Sequence, residues 1–470
     1  MNSASTDCVF DLARTAADTT YEELPAEVIR AAKTLVLDGI AVTFAGSSAT
    51  GIPELAQLMT DWGGREEARV LGFQPRLPAP SAAMLNASMM HARDFDDNLD
   101  KARFHASTCI LPAALAVAEA TKSSGKEFLA AYVAGVEMAC RLADVVPLHR
   151  GWHQTSVLGS LGAAVAAGKL LKLEVDGLVN SIGHAYTMAA GNIQGRVDRT
   201  LEKRVQVGLS TRNGVTAAYI AKQGITGARR VIEGSHGLLS LYAVPAIADD
   251  KSRVRDLLAA PSDQTYITQL SMKPYPCCRG CHGPAYGVSH LMQRHKLEAA
   301  RVQSIDLLVP EYVSTIVGGP FQPAADPQVE AQFSAAYTSV VMMLRGSLSI
   351  ADFEPEVVQE LDPEFVRSKV REEVDDSLGG RRLSPVVVRL TLKSGEQLKT
   401  EVDVLPGHPD NPMDESLHRA KVRDCLSQIL GRQAAATHAE RLENSVGSLE
   451  SVSVDEFMEV IAASPVDLVR

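Results

Sequence analysis

From Ser81 to Pro112 the chain reads SAAMLNASMMHARDFDDNLDKARFHASTCILP. The small-residue run before His91 and the Ala-rich run after His105 both read as helices. His91-Ala-Arg-Asp94-Phe-Asp96-Asp97-Asn98 and a short polar connector join them. Polar side chains converge at such a junction without disrupting a helix interior. A carboxylate beside an imidazole holds the ring's tautomer and raises its pKa toward neutrality, which suits proton transfer. The same residues also read as helix caps or solvated turn carboxylates, and the segment alone leaves both readings open.

On either side of this junction the pattern is helical. Pro25 at a first-turn position leads into Val28, Ile29, Ala32, Leu35, Val36 and Ile40, the stripe of an amphipathic helix, and similar spacing continues to about Ala260. Gly125, after Lys122-Ser-Ser, and Gly224, after Ala221-Lys-Gln, read as helix stops. Aromatic residues make up only 5% of the chain, so abundant Ala and Gly must make the contacts between helices. After Pro261 the period changes. Gln303–Val309 and Val386–Lys393 read as strands, the latter with Val386, Val388, Leu390 and Leu392 alternating with Val387, Arg389, Thr391 and Lys393. Ser394-Gly395 makes a hairpin turn into Gln397–Val404. A breaker cluster from Pro406 to Pro412 precedes an amphipathic helix over Glu415–Leu430, a connector over Gln433–Glu440 and a short helix over Val454–Ala463. The fold class is mainly α, with a smaller α+β portion after about residue 263.

Length and composition favour an enzyme. With 470 residues, 46% of them hydrophobic, the chain can bury the cores of two domains. No apolar run reaches the roughly 20 residues of a membrane span. Met1-Asn-Ser-Ala-Ser-Thr-Asp has neither the basic start nor the apolar region of a secretory signal, so a cytoplasmic location is expected. A net charge of −11 opposes general binding to nucleic acid or anionic membrane. Cys278-Arg-Gly-Cys281-His282, with Cys277 beside it, spells a haem-attachment or metal motif. No second ligand pair lies nearby, and the motif also reads as reduced cysteines in an interdomain segment.

The Asp-Phe-Asp-Asp run about ten residues before a His that opens an Ala-rich helix resembles the signature region of the MmgE/PrpD family. Three further segments resemble that family in the same order: Gly151-Trp-His153-Gln-Thr155, Glu202-Lys203-Arg204-Val-Gln-Val-Gly208 and Leu270-Ser-Met-Lys273-Pro-Tyr-Pro. The family contains 2-methylcitrate dehydratases, cis-aconitate decarboxylases and an iminodisuccinate epimerase. The resemblance implies a helical domain built from residues 1–262 and 408–470, with 263–407 as an inserted α+β lid and the active site between them. It also implies a homodimer.

By the same resemblance His105, Asp94 and His153 are catalytic, with Asp94 acting beside His105 as partner base or orienting group. Lys203, Lys273, Asn98 and Thr155 then bind substrate. Two lysines suit an anionic carboxylate, because a charge-assisted hydrogen bond contributes about 1.5 to 3 kcal/mol. Arg204 and Arg279 are weaker choices for that duty. The chain has no phosphate-cradling glycine loop, so acid–base chemistry next to a carboxylate is expected, with no cofactor and no metal. Loss of water from a hydroxy-polycarboxylate is the leading expectation, with epimerisation or decarboxylation as alternatives and a redox or metal protein built on Cys278, Cys281 and His282 as the reading from another class. Two positions depart from the resembled decarboxylases: Asn98 stands where they carry a hydroxyl residue, and Cys278 where they carry a histidine.

Overall fold

The computed structural model describes residues 6–149, 151–259, 265–323, 326–378 and 385–462. Helix α1 (Ala26–Gly46) starts behind Pro25 and buries Val28, Ala32, Leu35, Val36 and Ile40. Helices α2 (Ala79–Ala92), α3 (Ala106–Ala120), α4 (Gly125–Val145), α5 (Gln154–Leu170) and α6 (Glu202–Lys222) pack around it and one another. Small residues set their spacing. A Cβ at Gly214 of α6 would stand 2.5 Å from the Ser160 carbonyl oxygen of α5, and one at Gly208 would collide with Ser88 of α2.

Gly224, at φ 80°, follows the end of α6 as the stop pattern requires. Gly125 does not stop a helix. It opens α4 behind Ser124, which forms a capping box with Glu127. Glycine is needed there because a Cβ would strike the Leu449 carbonyl oxygen.

The lid portion is built on α7 (Arg279–Arg294), β1 (Val302–Val309), α8 (Glu311–Val317), β2 (Val370–Val374), β3 (Val386–Leu392) and β4 (Gln397–Val402). The sheet runs β2-β1-β3-β4, parallel between β1 and β2 and antiparallel elsewhere. Val386, Val388, Leu390 and Leu392 are buried as their alternation dictates, and Val386 and Val388 fit against Gly283 and Gly287 of α7. Gly395, at φ 88°, closes the β3–β4 hairpin. Sequence reading missed β2 because this edge strand buries little and shows no hydrophobic alternation.

Side chains from Cys8 to Leu270, joined by Ile350 and by Val422 to Ile461, form one apolar core, and Cys277 to Leu405 form another. The expected boundary at 262/263 falls within 260–264, outside the described residues. Tyr266, Ile267 and Leu270 still belong to the first core, so the change of core comes between Leu270 and Cys277. Helix α9 (Glu415–Gly447) returns to the helical core beside α1 and bends at Gly431. Residues 433–440, expected as a connector, are helical. They are Ala-rich, and Ala435 and Ala439, one turn apart, are buried. Among the described residues, no helix is long and apolar enough to cross a membrane.

Candidate active site

Helix α2 ends at Ala92, and Asp94 then takes the left-handed backbone conformation, φ 50°. This turn brings Asp96 back to His91, with Oδ2 2.8 Å from His91 Nδ1. His105 is the N-cap of α3, and its Nδ1 lies 3.0 Å from the same Asp96 oxygen. The Thr108 hydroxyl donates to that oxygen as well. One carboxylate thus serves two imidazoles whose centroids are 4.9 Å apart. Burial opposes ionisation of Asp96, but His105 and His91 overcome it and hold the carboxyl well below its usual range. With a carboxylate at Nδ1, the proton belongs on that nitrogen, which leaves Nε2 of His105 as the reactive lone pair. Burial and the nearby Lys203 push His91 down to about 4. His105 lines a cavity of about 460 Å³, whereas His91 stands behind it.

Asp94 faces that cavity too, but its ionic partners are lysines. Lys203 Nζ is 2.8 Å from Asp94 Oδ1. Lys273 Nζ donates to the Asp94 carbonyl at 2.8 Å and stands 3.4 Å from Oδ1. Burial resists the charge on Asp94, yet the two ammonium groups keep it strongly acidic. The expected pairing of His105 with Asp94 therefore differs from the geometry, in which Asp96 is the carboxylate on the ring. The left-handed turn at Asp94 produces this exchange. Lys203 lines the cavity; Lys273 is fully buried behind Asp94 and does not.

His153, the N-cap of α5, stands on another wall. Its Nδ1 is 2.8 Å from Gln206 Oε1. Gln206 donates through Nε2 to Glu202 and to the Asn192 carbonyl, which fixes the amide so that Oε1 accepts from the imidazole. Burial, reinforced by His91 and Lys203, holds His153 neutral. Thr155 lies outside the cavity, and its hydroxyl accepts the His105 backbone N–H at 3.1 Å. Its place is to orient the start of α3.

Asn98 lines the cavity, exchanges backbone hydrogen bonds of 3.0 and 2.8 Å with Ser271, and donates to Asp100. Arg279, at the start of α7, grips Asp100 at 2.8 and 2.7 Å. Against burial, Arg279 brings Asp100 down to about 2. This pair ties lid to bundle across 179 positions, and no local pattern marks it. Asp97 belongs to a different network, accepting from the Ser107 N–H at 3.1 Å and from the Ser107 hydroxyl. Burial pushes Asp97 up to about 6.

In the Cys-x-x-Cys-His segment the side chains are taken up separately. His282 Nε2 is 3.2 Å from the Cys277 carbonyl oxygen, its Nδ1 is 3.3 Å from Arg279, and Cys281 contacts the Gln332 carbonyl at 3.8 Å. Cys278 reaches the cavity, with burial pushing its thiol up to about 11. Among the described residues, potential metal-ligand atoms gather at His91, Asp96 and His105, within 4.8 Å of one another, and at Asp7, Cys8 and Glu233. In the first group the imidazoles approach Asp96 itself, and in the second the carboxylates accept backbone N–H groups and Arg255.

Residues 10–247 match the MmgE/PrpD N-terminal domain and residues 275–445 match the MmgE/PrpD C-terminal domain. A cis-aconitate decarboxylase-like protein of Aspergillus oryzae is 28% identical over 94% of this chain and 94% of its own. The cis-aconitate decarboxylases of Aspergillus terreus and Mus musculus are 24% and 26% identical, over 96% and 91% of this chain and 95% and 88% of their own.

Proposed function

Because the chain belongs to the MmgE/PrpD family, we propose that it is a lyase that moves a proton at a carbon next to a carboxylate of a small polycarboxylate, with loss of carbon dioxide. The observation that carries this reading is His105, seated between the buried Asp96 carboxylate and the cavity. Lys203 supplies the charge for a substrate carboxylate. When the carbon–carbon bond to the departing carboxylate breaks, its electron pair stays on carbon and delocalises into the neighbouring carboxylate as an enolate. Lys203 offsets that charge. The His105 imidazolium, steadied by Asp96, gives its proton to the carbon. Relatives named as cis-aconitate decarboxylases, aligned over nearly their whole length, favour this outcome.

Dehydration of a hydroxy-polycarboxylate is a second reading, favoured by His153. A neutral imidazole on a second wall can take the carbon-bound proton while the His105 imidazolium protonates the departing hydroxyl. Proton NMR in deuterium oxide with citrate, 2-methylcitrate, cis-aconitate and iminodisuccinate separates the outcomes. Decarboxylation yields a shortened product deuterated at the new carbon–hydrogen bond, dehydration yields an alkene, and epimerisation exchanges the proton without changing the skeleton. Four inert substrates would overturn the proposal.

A further inference from the structure

The cavity has two ends of unlike chemistry. Asp94 is buried and His105 largely so at the inner end, beside Lys203. The mouth is apolar, with Trp152 and Ile193 contributed by the helical domain and Tyr312 and Ile316 by α8 of the lid. Trp152 is 36% exposed, yet it is held firmly. Its loop pairs with the segment before α6 through the His153 N–H on the Gly191 carbonyl and the Ile193 N–H on the Gly151 carbonyl, each 3.0 Å. Its ring rests against Tyr242, with centroids 4.7 Å apart. Tyr312 and Ile316 lie one turn apart on the cavity side of α8, and Arg103 stacks on Tyr312 at 4.1 Å.

Fixed apolar side chains left facing water mark a surface that gains stability when covered. The cavity volume of about 460 Å³ lies in the range, roughly 300 to 1,000 Å³, of sites for ligands larger than a citrate-sized acid. We propose that the substrate is amphiphilic: a polycarboxylate whose alkyl substituent lies between Trp152 and the Tyr312–Ile316 face while its carboxylates engage the inner end. The inference rests on the lyase reading for what happens at His105, but the alkyl subsite itself is measurable by binding alone.

Titration calorimetry with succinate and its 2-butyl and 2-hexyl derivatives, none of which carries a leaving group, tests it. Affinity should rise with chain length by about two- to fourfold per methylene, the range expected when a methylene is partly to fully buried. In Trp152→Ser and Ile316→Ser that dependence should flatten relative to succinate in the same variant. An affinity independent of chain length, or a dependence unchanged in both variants, overturns the subsite and leaves the lyase reading standing. If the chain-length dependence holds while every acid in the NMR panel stays inert and alkylated analogues are also unreacted, the lyase reading fails and the subsite stands.

Discussion

Lys421, on α9, donates a 3.0 Å hydrogen bond to the Phe95 carbonyl, the peptide oxygen between Asp94 and Asp96. The same ammonium is 2.8 and 2.9 Å from the two carboxylate oxygens of buried Asp38 on α1 and stands 4.2 Å over the Phe95 ring. Lys273 takes the preceding carbonyl, that of Asp94. Two ammonium groups from distant parts of the chain thus hold successive carbonyls of a left-handed turn. A non-glycine residue in that conformation costs about 1 to 3 kcal/mol and persists where its surroundings over-determine it.

Lys421→Met should destabilise the protein by about 3 to 5 kcal/mol, because it strands the Asp38 charge. Asp38→Asn combined with Lys421→Met should recover most of that stability while kcat stays roughly tenfold or more below wild type with KM little changed, since the turn has lost its second anchor. Thermal unfolding and steady-state kinetics read the two effects separately. Wild-type kcat in the double variant would show that Lys421 serves stability alone.

Asp97 makes a pH-dependent contribution opposite in sign to those of Asp94 and Asp100. Its folded value of about 6 exceeds the ordinary value of about 3.9, so between these the folded state keeps a proton that the unfolded chain has released. The associated stability is present below about pH 4 and is lost as pH rises through about 6, a swing of about 2 to 3 kcal/mol. Asp97→Asn should remove that swing. Denaturant unfolding at pH 4 and 7.5 should show the wild-type-minus-variant difference changing by that amount, and a constant difference would contradict the assignment.

The two lysines should behave differently. Lys203 lines the cavity, so Lys203→Ala should raise KM roughly tenfold or more, from loss of about 1.5 kcal/mol or more of charged contact. Lys273→Ala should act mainly on kcat and stability, because Lys273 holds Asp94 from behind. Equal KM effects in both variants would place Lys273 on the substrate after all.

Dialysis against a chelator should leave turnover unchanged, because the His91 and His105 Nδ1 atoms are directed at Asp96 and serve its carboxylate. Turnover lost on dialysis and restored by zinc or iron would overturn that view of the cluster.

The helical class, the β3–β4 hairpin and the convergence around residues 91–105 were legible, because each depends on local periodicity or on helix ends. Which carboxylate meets His105 was not. A single left-handed residue, Asp94, redirects everything after it, and nothing in an Asp-Phe-Asp-Asp spelling reports φ. His91 escaped notice because a histidine in the last turn of a helix is ordinary by pattern, and it becomes distinctive only when Asp96 folds back onto it. Asp100 with Arg279 and Lys421 with Phe95 are pairings of the tertiary fold, with no sequence period to betray them. The Cys278-to-His282 spelling misleads in the other direction, since α7 sends His282 to the Cys277 carbonyl and to Arg279.

The central claim is that His105 and Asp96 form one proton-transfer unit. The most direct test is proton NMR in deuterium oxide, following turnover of the substrate identified in the panel by wild type, His105→Ala, Asp96→Asn and the double variant, with folding checked by circular dichroism. A shared unit predicts that each single variant and the double lose similar factors, about 10² to 10⁴, rather than multiplied ones. A folded His105→Ala protein that incorporates deuterium and forms product at near wild-type rate would contradict the account.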